Sequence, residues 1–438
     1  MNSFIRDLFS VLGSRFTVII CGILTSILTA RYIGPAGNGI IAALIVYPDL
    51  FMTIGSMGIR QSTTYFVGSG KYNRDAIFSS VIYLCIITSI FCVGVCYVLI
   101  KYFTKVQYKE LYILLAISPI PFSLFTTYAS GMFLGMGNIK EFNRVNWVPN
   151  FIKLVGVGAL VVFLGFGVEG VLIATFLGMF ILSFLVVRVM SRLINIQFVF
   201  DKKLIGQLLK LGLGYAFAML VVNLNYKADV VLLERFSTES QLGLYSKGVV
   251  IVEYLWEVPT LISTIVFSRS ANAKDSKAFS EKVCSMLRIG SILVLAASLV
   301  FFVLSPVIIR VMYGEAFMPS STVQKILIPG IFLMTIFKVL NMDLAGKGKP
   351  WVSMWAMIPA LLINIALNIV FIPKYGANGS ALASTISYSF AAVVFLFSYA
   401  KTTGIPVKRI FSYTRDDFDL IKGLLAKGKN VIARSKPA

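Results

Sequence analysis

Residues 289–309 read IGSILVLAASLVFFVLSPVII and lie between Arg288 and Arg310. A helix that crosses a bilayer needs about 20 consecutive apolar residues, and this stretch supplies them without one charge. The pattern recurs between Asp75 and Lys101, Glu110 and Lys140, Lys349 and Lys374, and Lys374 and Lys401. Open strand edges cannot sit in lipid and the alternation of a barrel is absent, so the runs read as helices. The chain of 438 residues is 58% hydrophobic and only 13% charged, with a mean hydropathy of +0.85. Soluble domains carry about 25% charge, so a large soluble domain is excluded. Twelve spans are expected, at 10–30, 40–66, 77–100, 111–135, 147–166, 169–188, 211–233, 243–267, 287–310, 322–343, 351–372 and 378–400. The first run passes through Arg31-Tyr32-Ile33-Gly34-Pro35 into the next apolar run, which marks a retained helix and not a cleaved leader.

Lys plus Arg is 40 and Asp plus Glu is 19, a formal charge of +21. In a soluble domain this excess would raise nucleic acid as a partner; here basic loops on the cytoplasmic side account for it. With the N-terminus inside, the inner loops and ends hold 26 basic residues and the outer ones 7. That bias predicts an N-in, C-in, multi-pass protein of the inner (cytoplasmic) membrane. No histidine is present, which removes His catalysis, His metal sites and His proton relays. The five cysteines form no CxxC pair, so neither a disulfide framework nor a metal cluster is expected. A phosphate-binding loop is missing too, and Gly346-Lys347-Gly348-Lys349-Pro350 reads as a basic turn. The outer loops are short and poor in carboxylates, which argues against a glycosyltransferase or polymerase.

An internal repeat appears at an offset of 209. Gly34 aligns with Gly243, Gly137 with Gly346, and Gly167, Gly170 and Ala174 with Gly376, Gly379 and Ala383. Six spans per repeat predict an all-α fold of two six-helix lobes, 1–200 and 201–400, with a basic tail at 401–438. Transporters place substrate between such repeats. In the tail Thr414 can cap a helix, Asp416 and Asp417 suit its first turn, and Phe418, Ile421, Leu424 and Leu425 fall on one face. An interfacial helix on anionic lipid is expected there.

Charge enters particular spans. Span 1 holds Arg15, span 2 Asp49 and Arg60, span 5 Lys153, and span 7 Lys227 and Asp229. Span 8 holds Lys247, Glu253 and Glu257, and span 10 holds Lys325, Lys338 and Asp343. Each charge at the bilayer centre costs at least about 2.5–3.5 kcal/mol. We therefore expect a wet, net-cationic cavity between the lobes, with Arg15, Arg60, Lys153, Lys227, Lys247 and Lys338 as candidate substrate ligands. Asp49, Asp229, Glu253, Glu257 and Asp343 are candidate carriers of a coupled proton or sodium ion. Glu253 and Glu257 are spaced i, i+4 and share a helical face. Snorkelling from a span end is the competing reading for Arg15, Lys325 and Asp343. Spans 3, 4, 9, 11 and 12, free of charge, can face lipid.

Four stretches resemble a known family. Ala30-Arg31-Tyr32-Ile33-Gly34-Pro35-Ala36-Gly37-Asn38-Gly39 resembles the turn after the first helix of polysaccharide exporters. Asp229-Val-Val-Leu-Leu-Glu234 with Leu242-Gly243-Leu244-Tyr245-Ser246 resembles their junction of spans 7 and 8. Gly314-Glu315-Ala316-Phe317 resembles an outer loop, and residues 368–383 resemble the stretch before their last span. Over about residues 1–400 the chain is similar to O-antigen and related polysaccharide flippases of the multidrug/oligosaccharidyl-lipid/polysaccharide exporter superfamily. The resemblance implies two bundles in a V around a central cavity, with a gate from spans 1, 2, 7 and 8. It also implies alternating-access transfer of an undecaprenyl-diphosphate-linked oligosaccharide across the bacterial inner membrane, with no cofactor. Membrane lipid is a further partner and a polysaccharide polymerase a candidate one. A cation-coupled multidrug exporter of the same superfamily is the alternative.

Overall fold

The computed structural model describes residues 2–195, 200–271, 273, 275–413 and 417. The tail helix expected at Thr414 to Leu425 falls outside these residues except for Asp417. The described chain is helical without strands: α1 (Asn2–Ser56), α2 (Ile59–Ser69), α3 (Arg74–Phe103), α4 (Glu110–Ile117), α5 (Pro119–Gly135), α6 (Ile139–Val157) and α7 (Gly167–Leu193) come first. Then follow α8 (Lys202–Phe236), α9 (Glu239–Glu253), α10 (Glu257–Ala271), α11 (Ser276–Tyr313), α12 (Ser320–Gly346), α13 (Met354–Thr403) and α14 (Val407–Phe411). Starts are capped where the sequence offers an acceptor: Asn73 takes the Asp75 N–H, and Asp201 takes those of Lys203 and Leu204.

Ten helical stretches among the described residues are long and apolar enough to cross a membrane. Two of them, Gly13–Ser69 and Pro350–Thr403, have 57 and 54 residues. At 1.5 Å per residue each would run about 80 Å, far beyond a core of about 30 Å. Each is broken by a glycine in a conformation other residues avoid, Gly34 at φ 73° and Gly376 at φ 54°. Divided there, the described residues hold twelve apolar segments. This is an integral membrane protein of the all-α class.

Two helix ends expected to correspond in the repeat close alike. Helix α5 ends with Asn138 N–H bonded to Phe133 O and Gly137 N–H to Leu134 O. Helix α12 ends the same way, with Lys349 to Leu344 and Gly348 to Ala345, and both glycines have φ 75°. These are matching Schellman motifs. The structural counterpart of Gly137 is thus Gly348, two residues on from the sequence pairing, because the left-handed residue and not the first glycine of Gly346-Lys347-Gly348 closes the helix.

The chain forms two compact units. The first comprises Met1–Lys247, Ile309–Ser320 and Leu367–Ser380. Its centre is α5, where Tyr128, Ala129, Met132 and Phe133 are fully enclosed and Tyr128 OH bonds the Gly55 carbonyl. The α5 part of span 4 is therefore enclosed by protein, which corrects the expectation of a lipid-facing span for that part, while Leu111 and Leu114 of α4 are exposed. An uncharged run is equally at home against lipid or protein; small residues decide, because they let backbones approach. A Cβ on Gly131 would lie 2.6 Å from the Arg60 carbonyl, and one on Gly135 2.6 Å from Val67 Cβ.

The second unit comprises Gly248–Ile308, Ser321–Ala366 and Ala381–Ala438. Asp343 is completely buried there and accepts from Ser270 (2.6 Å), Ser280 (2.6 Å), Tyr399 (2.7 Å) and Lys347 (2.9 Å). It does not snorkel; it ties α10, α11, α12 and α13 together. Arg288 grips Asp417 through Nε (2.8 Å) and Nη2 (2.9 Å) and donates to the Ile410 carbonyl. Arg288, the charge that bounds the apolar run 289–309, thus anchors part of the tail.

We predict that Gly131→Leu destabilises the protein by about 1–3 kcal/mol, the usual cost of overpacking. Gly94→Leu, where an added Cβ meets nothing within 4 Å, should be silent. Thermal unfolding of the two purified variants in one detergent checks the pair.

Candidate functional site

The stretches that stood out in the sequence meet at one end of the first unit. Arg31 donates through Nε to the Met312 carbonyl (3.1 Å) and through Nη2 to that of Val311, closing the last turn of α11. Gly243 lies against Pro35 and Gly39 against Glu239 so closely that a Cβ on either would strike backbone oxygen. Gly376 packs on Gln241, whose Oε1 takes the Ala377 N–H at 3.0 Å. Asp229, fully buried, accepts from Tyr245 OH and Asn368 Nδ2, each at 2.8 Å. Four separated motifs thus build one seam among α1, α8, α9, α11 and α13.

Lys247 sits inside this seam and is 7% exposed. Its ammonium donates to the Ser26 carbonyl (3.1 Å), Ser26 Oγ (3.2 Å) and Thr29 Oγ1 (2.7 Å), and lies 5.5 Å from the Tyr313 ring centroid. Tyr313 OH is 2.8 Å from Ser26 Oγ. Sequence reasoning picked the lysine and missed its hydroxyl cage, because Ser and Thr within a helix usually bond their own backbone.

A second arrangement starts two residues before Asp229 on α8. Lys227 Nζ pairs with Asp49 Oδ2 at 3.2 Å, both side chains being roughly one-third exposed. They line a cleft of about 300 Å³ with Thr53, Ser56, Thr127 and Asn223, from α1, α5 and α8. Lys153 on α6 is half-buried, within electrostatic reach of both Asp49 and Lys247. The structure thereby joins Asp49, Lys153, Lys227 and Lys247 within one unit. Spacing could not reveal the pair, whose members are 178 residues apart.

The other expected residues are more scattered. Arg60 is half-buried near the start of α2, beside Gly131 of α5, and among the described residues has no carboxylate partner. Arg15 is half-buried in α1. In the second unit Lys338 stands 4.2 Å over the Trp256 ring, whose Nε1 donates to the Ile331 carbonyl. Glu253 and Glu257 flank a 3-10 turn, Tyr254–Trp256. With three residues per turn, that segment rotates Glu257 away from the α-helical alignment expected.

A sequence profile of the family described as polysaccharide biosynthesis protein matches residues 28–322. A probable low-salt glycan biosynthesis flippase of Haloferax volcanii is 21% identical over 203 residues, 46% of this chain and 42% of that protein. A putative O-antigen transporter of Shigella flexneri is 22% identical over 182 residues, 40% of this chain and 44% of that protein. The chain thus spans less than half the length of either relative in these matches. Among solved structures, the lipid II flippase MurJ in an inward closed conformation superposes with a TM-score of 0.77, covering 95% of both chains at 17% identity. At that identity the likeness shows the fold.

The Lys247 cage generates a cycle to test. Thr29→Val should lower stability by about 1–3 kcal/mol by leaving the ammonium short of an acceptor. Adding Lys247→Met should restore part of it, since an apolar pair needs no hydrogen bond. Thermal melts of the two singles and the double measure this coupling.

Proposed function

Because the chain belongs to the polysaccharide biosynthesis protein family, we propose that it is a flippase for a polyprenyl-diphosphate-linked oligosaccharide, working by alternating access. The observation that carries the reading is the charged cleft of α1, α5 and α8, set in membrane-spanning helices. A diphosphate is strongly anionic and its sugars polar, so both need such a place to cross. Lys227, with Lys153 in electrostatic reach of its partner Asp49, supplies the positive sign, and Asp49 keeps Lys227 paired until substrate arrives. A site for cationic drugs would need the reverse balance. Arg60 is a further ligand in this reading, because a guanidinium suits a bidentate phosphate contact.

In this reading the undecaprenyl carrier and the bacterial inner membrane are the setting, with both termini cytoplasmic, as the charge bias supports. The Lys247 seam then lies toward the outer face and serves as the outer gate, which must part for release. Glu253 and Glu257, half-buried beside the 3-10 turn, carry the coupled proton or sodium ion. A polysaccharide polymerase receives the product.

We expect Lys227→Arg to keep most surface glycan in cells that depend on this protein. Lys227→Ala should lose most of it, and Lys227→Glu all of it, at unchanged protein levels in the membrane. Arg60→Lys, Arg60→Ala and Arg60→Glu should follow the same order. Glycan at the wild-type level in the Glu variants would overturn the cationic reading.

A further inference from the structure

Beside the charged cleft, and sharing a wall with it, is a second cavity of about 410 Å³. It is bounded by α1, α3 and α8, and its lining is apolar: Ile54, Ile87, Phe91, Leu213, Phe217 and Leu220. The one polar lining side chain, Thr88, already donates to the Leu84 carbonyl and meets Tyr128 OH at 3.2 Å. The cavity therefore has no hydrogen bond to offer an occupant. Ile87, Phe91, Leu213 and Phe217 are also exposed on the described surface, so the cavity is open to its surroundings.

The wall between the two cavities is thin. Ser56 lines the charged cleft and the next residue, Met57, the apolar groove; Met219 and Leu220 divide the same way on α8. One end of the groove is closed by backbone contact, since a Cβ on Gly58 would strike the Gly212 carbonyl and one on Gly212 that of Met57. Met57 itself is held at φ 43°, a left-handed conformation that a side chain resists. Strain of this kind is kept where the surrounding structure needs it, most often at functional sites.

We propose that this groove holds the isoprenoid chain of the lipid whose anionic head enters the charged cleft. The proposal rests on the flippase reading for the identity of that head. A hydrocarbon chain gains little by moving from lipid into an apolar groove, because lipid tails are as apolar as the lining. Selectivity for the occupant therefore comes from the head group next door. The groove contributes position: it keeps the chain on the lipid side of the α1–α8 wall while the head sits on the other.

The test is photolabelling of the purified full chain in phosphatidylethanolamine nanodiscs that contain undecaprenyl diphosphate with a diazirine on its isoprenoid chain. Labelling should fall on the α8 segment from Leu213 to Leu220 and the facing part of α3. Unlabelled undecaprenyl diphosphate should compete, and phosphatidylglycerol should not. Ala216→Trp, which fills the groove, should cut labelling there about tenfold. Phe217→Ala, which removes part of the wall on the exposed side, should scatter it to other segments. Equal competition by phosphatidylglycerol would identify the occupant as an ordinary lipid chain and overturn the proposal. Undiminished labelling in a stably folded Ala216→Trp, or labelling elsewhere in the wild type, would overturn it as well. Failure of the flippase reading looks different: the groove is labelled as expected, yet wild-type protein moves no lipid-linked sugar between leaflets.

Discussion

A polar group inside hydrocarbon must be satisfied by protein or by water the protein admits, and each feature of this molecule follows from that requirement. The backbone meets it by forming helices. Side chains meet it in three ways, each with its own address. Asp343 is enclosed by two serines, a tyrosine and a lysine, and holds helices together. Lys247 is enclosed by helix oxygens and an aromatic ring, and holds a seam shut. Lys227 and Asp49 are left partly open and line a cleft. Only the third kind can exchange its partner for a substrate without dismantling the fold.

The seam explains why distant motifs look alike across a family. Gly243 and Gly39 permit backbone contacts that any side chain would block, Arg31 closes a foreign helix end, and Asn368 completes the shell of Asp229. None of these residues acts alone. A seam built from backbone contact and buried polar bonds closes in one defined geometry, and separating it would expose groups that water can satisfy. The proposed alternating access would need such a seam to open and close.

Much of the fold was legible in the sequence. Uncharged runs bounded by charge gave the spans, and the glycines at 34 and 376 marked where two very long helices turn. The interior position of α5 was not read, because freedom from charge does not distinguish lipid from protein as surroundings. Its signal was present in the spacing of Gly131 and Gly135. For the site, the choice of unusual residues was legible and their grouping was not. Lys227 and Asp49 were separate candidates, and only folding shows them paired. Lys247 and Asp343 stood beside them as equals, although they are enclosed and Lys227 is open. Burial depends on hydroxyl partners such as Thr29, Ser270 and Ser280, which periodicity does not reveal.

The most direct measurement is transfer of a fluorescent undecaprenyl-diphosphate-linked oligosaccharide between the leaflets of sealed vesicles containing only this protein. An impermeant quencher or a sugar-modifying enzyme outside reports the change of leaflet. The account predicts transfer above protein-free vesicles, no new glycosidic bond, and loss of transfer with Lys227→Glu. Transfer by Lys227→Glu at the wild-type rate, or wild-type vesicles no faster than protein-free ones, would contradict it.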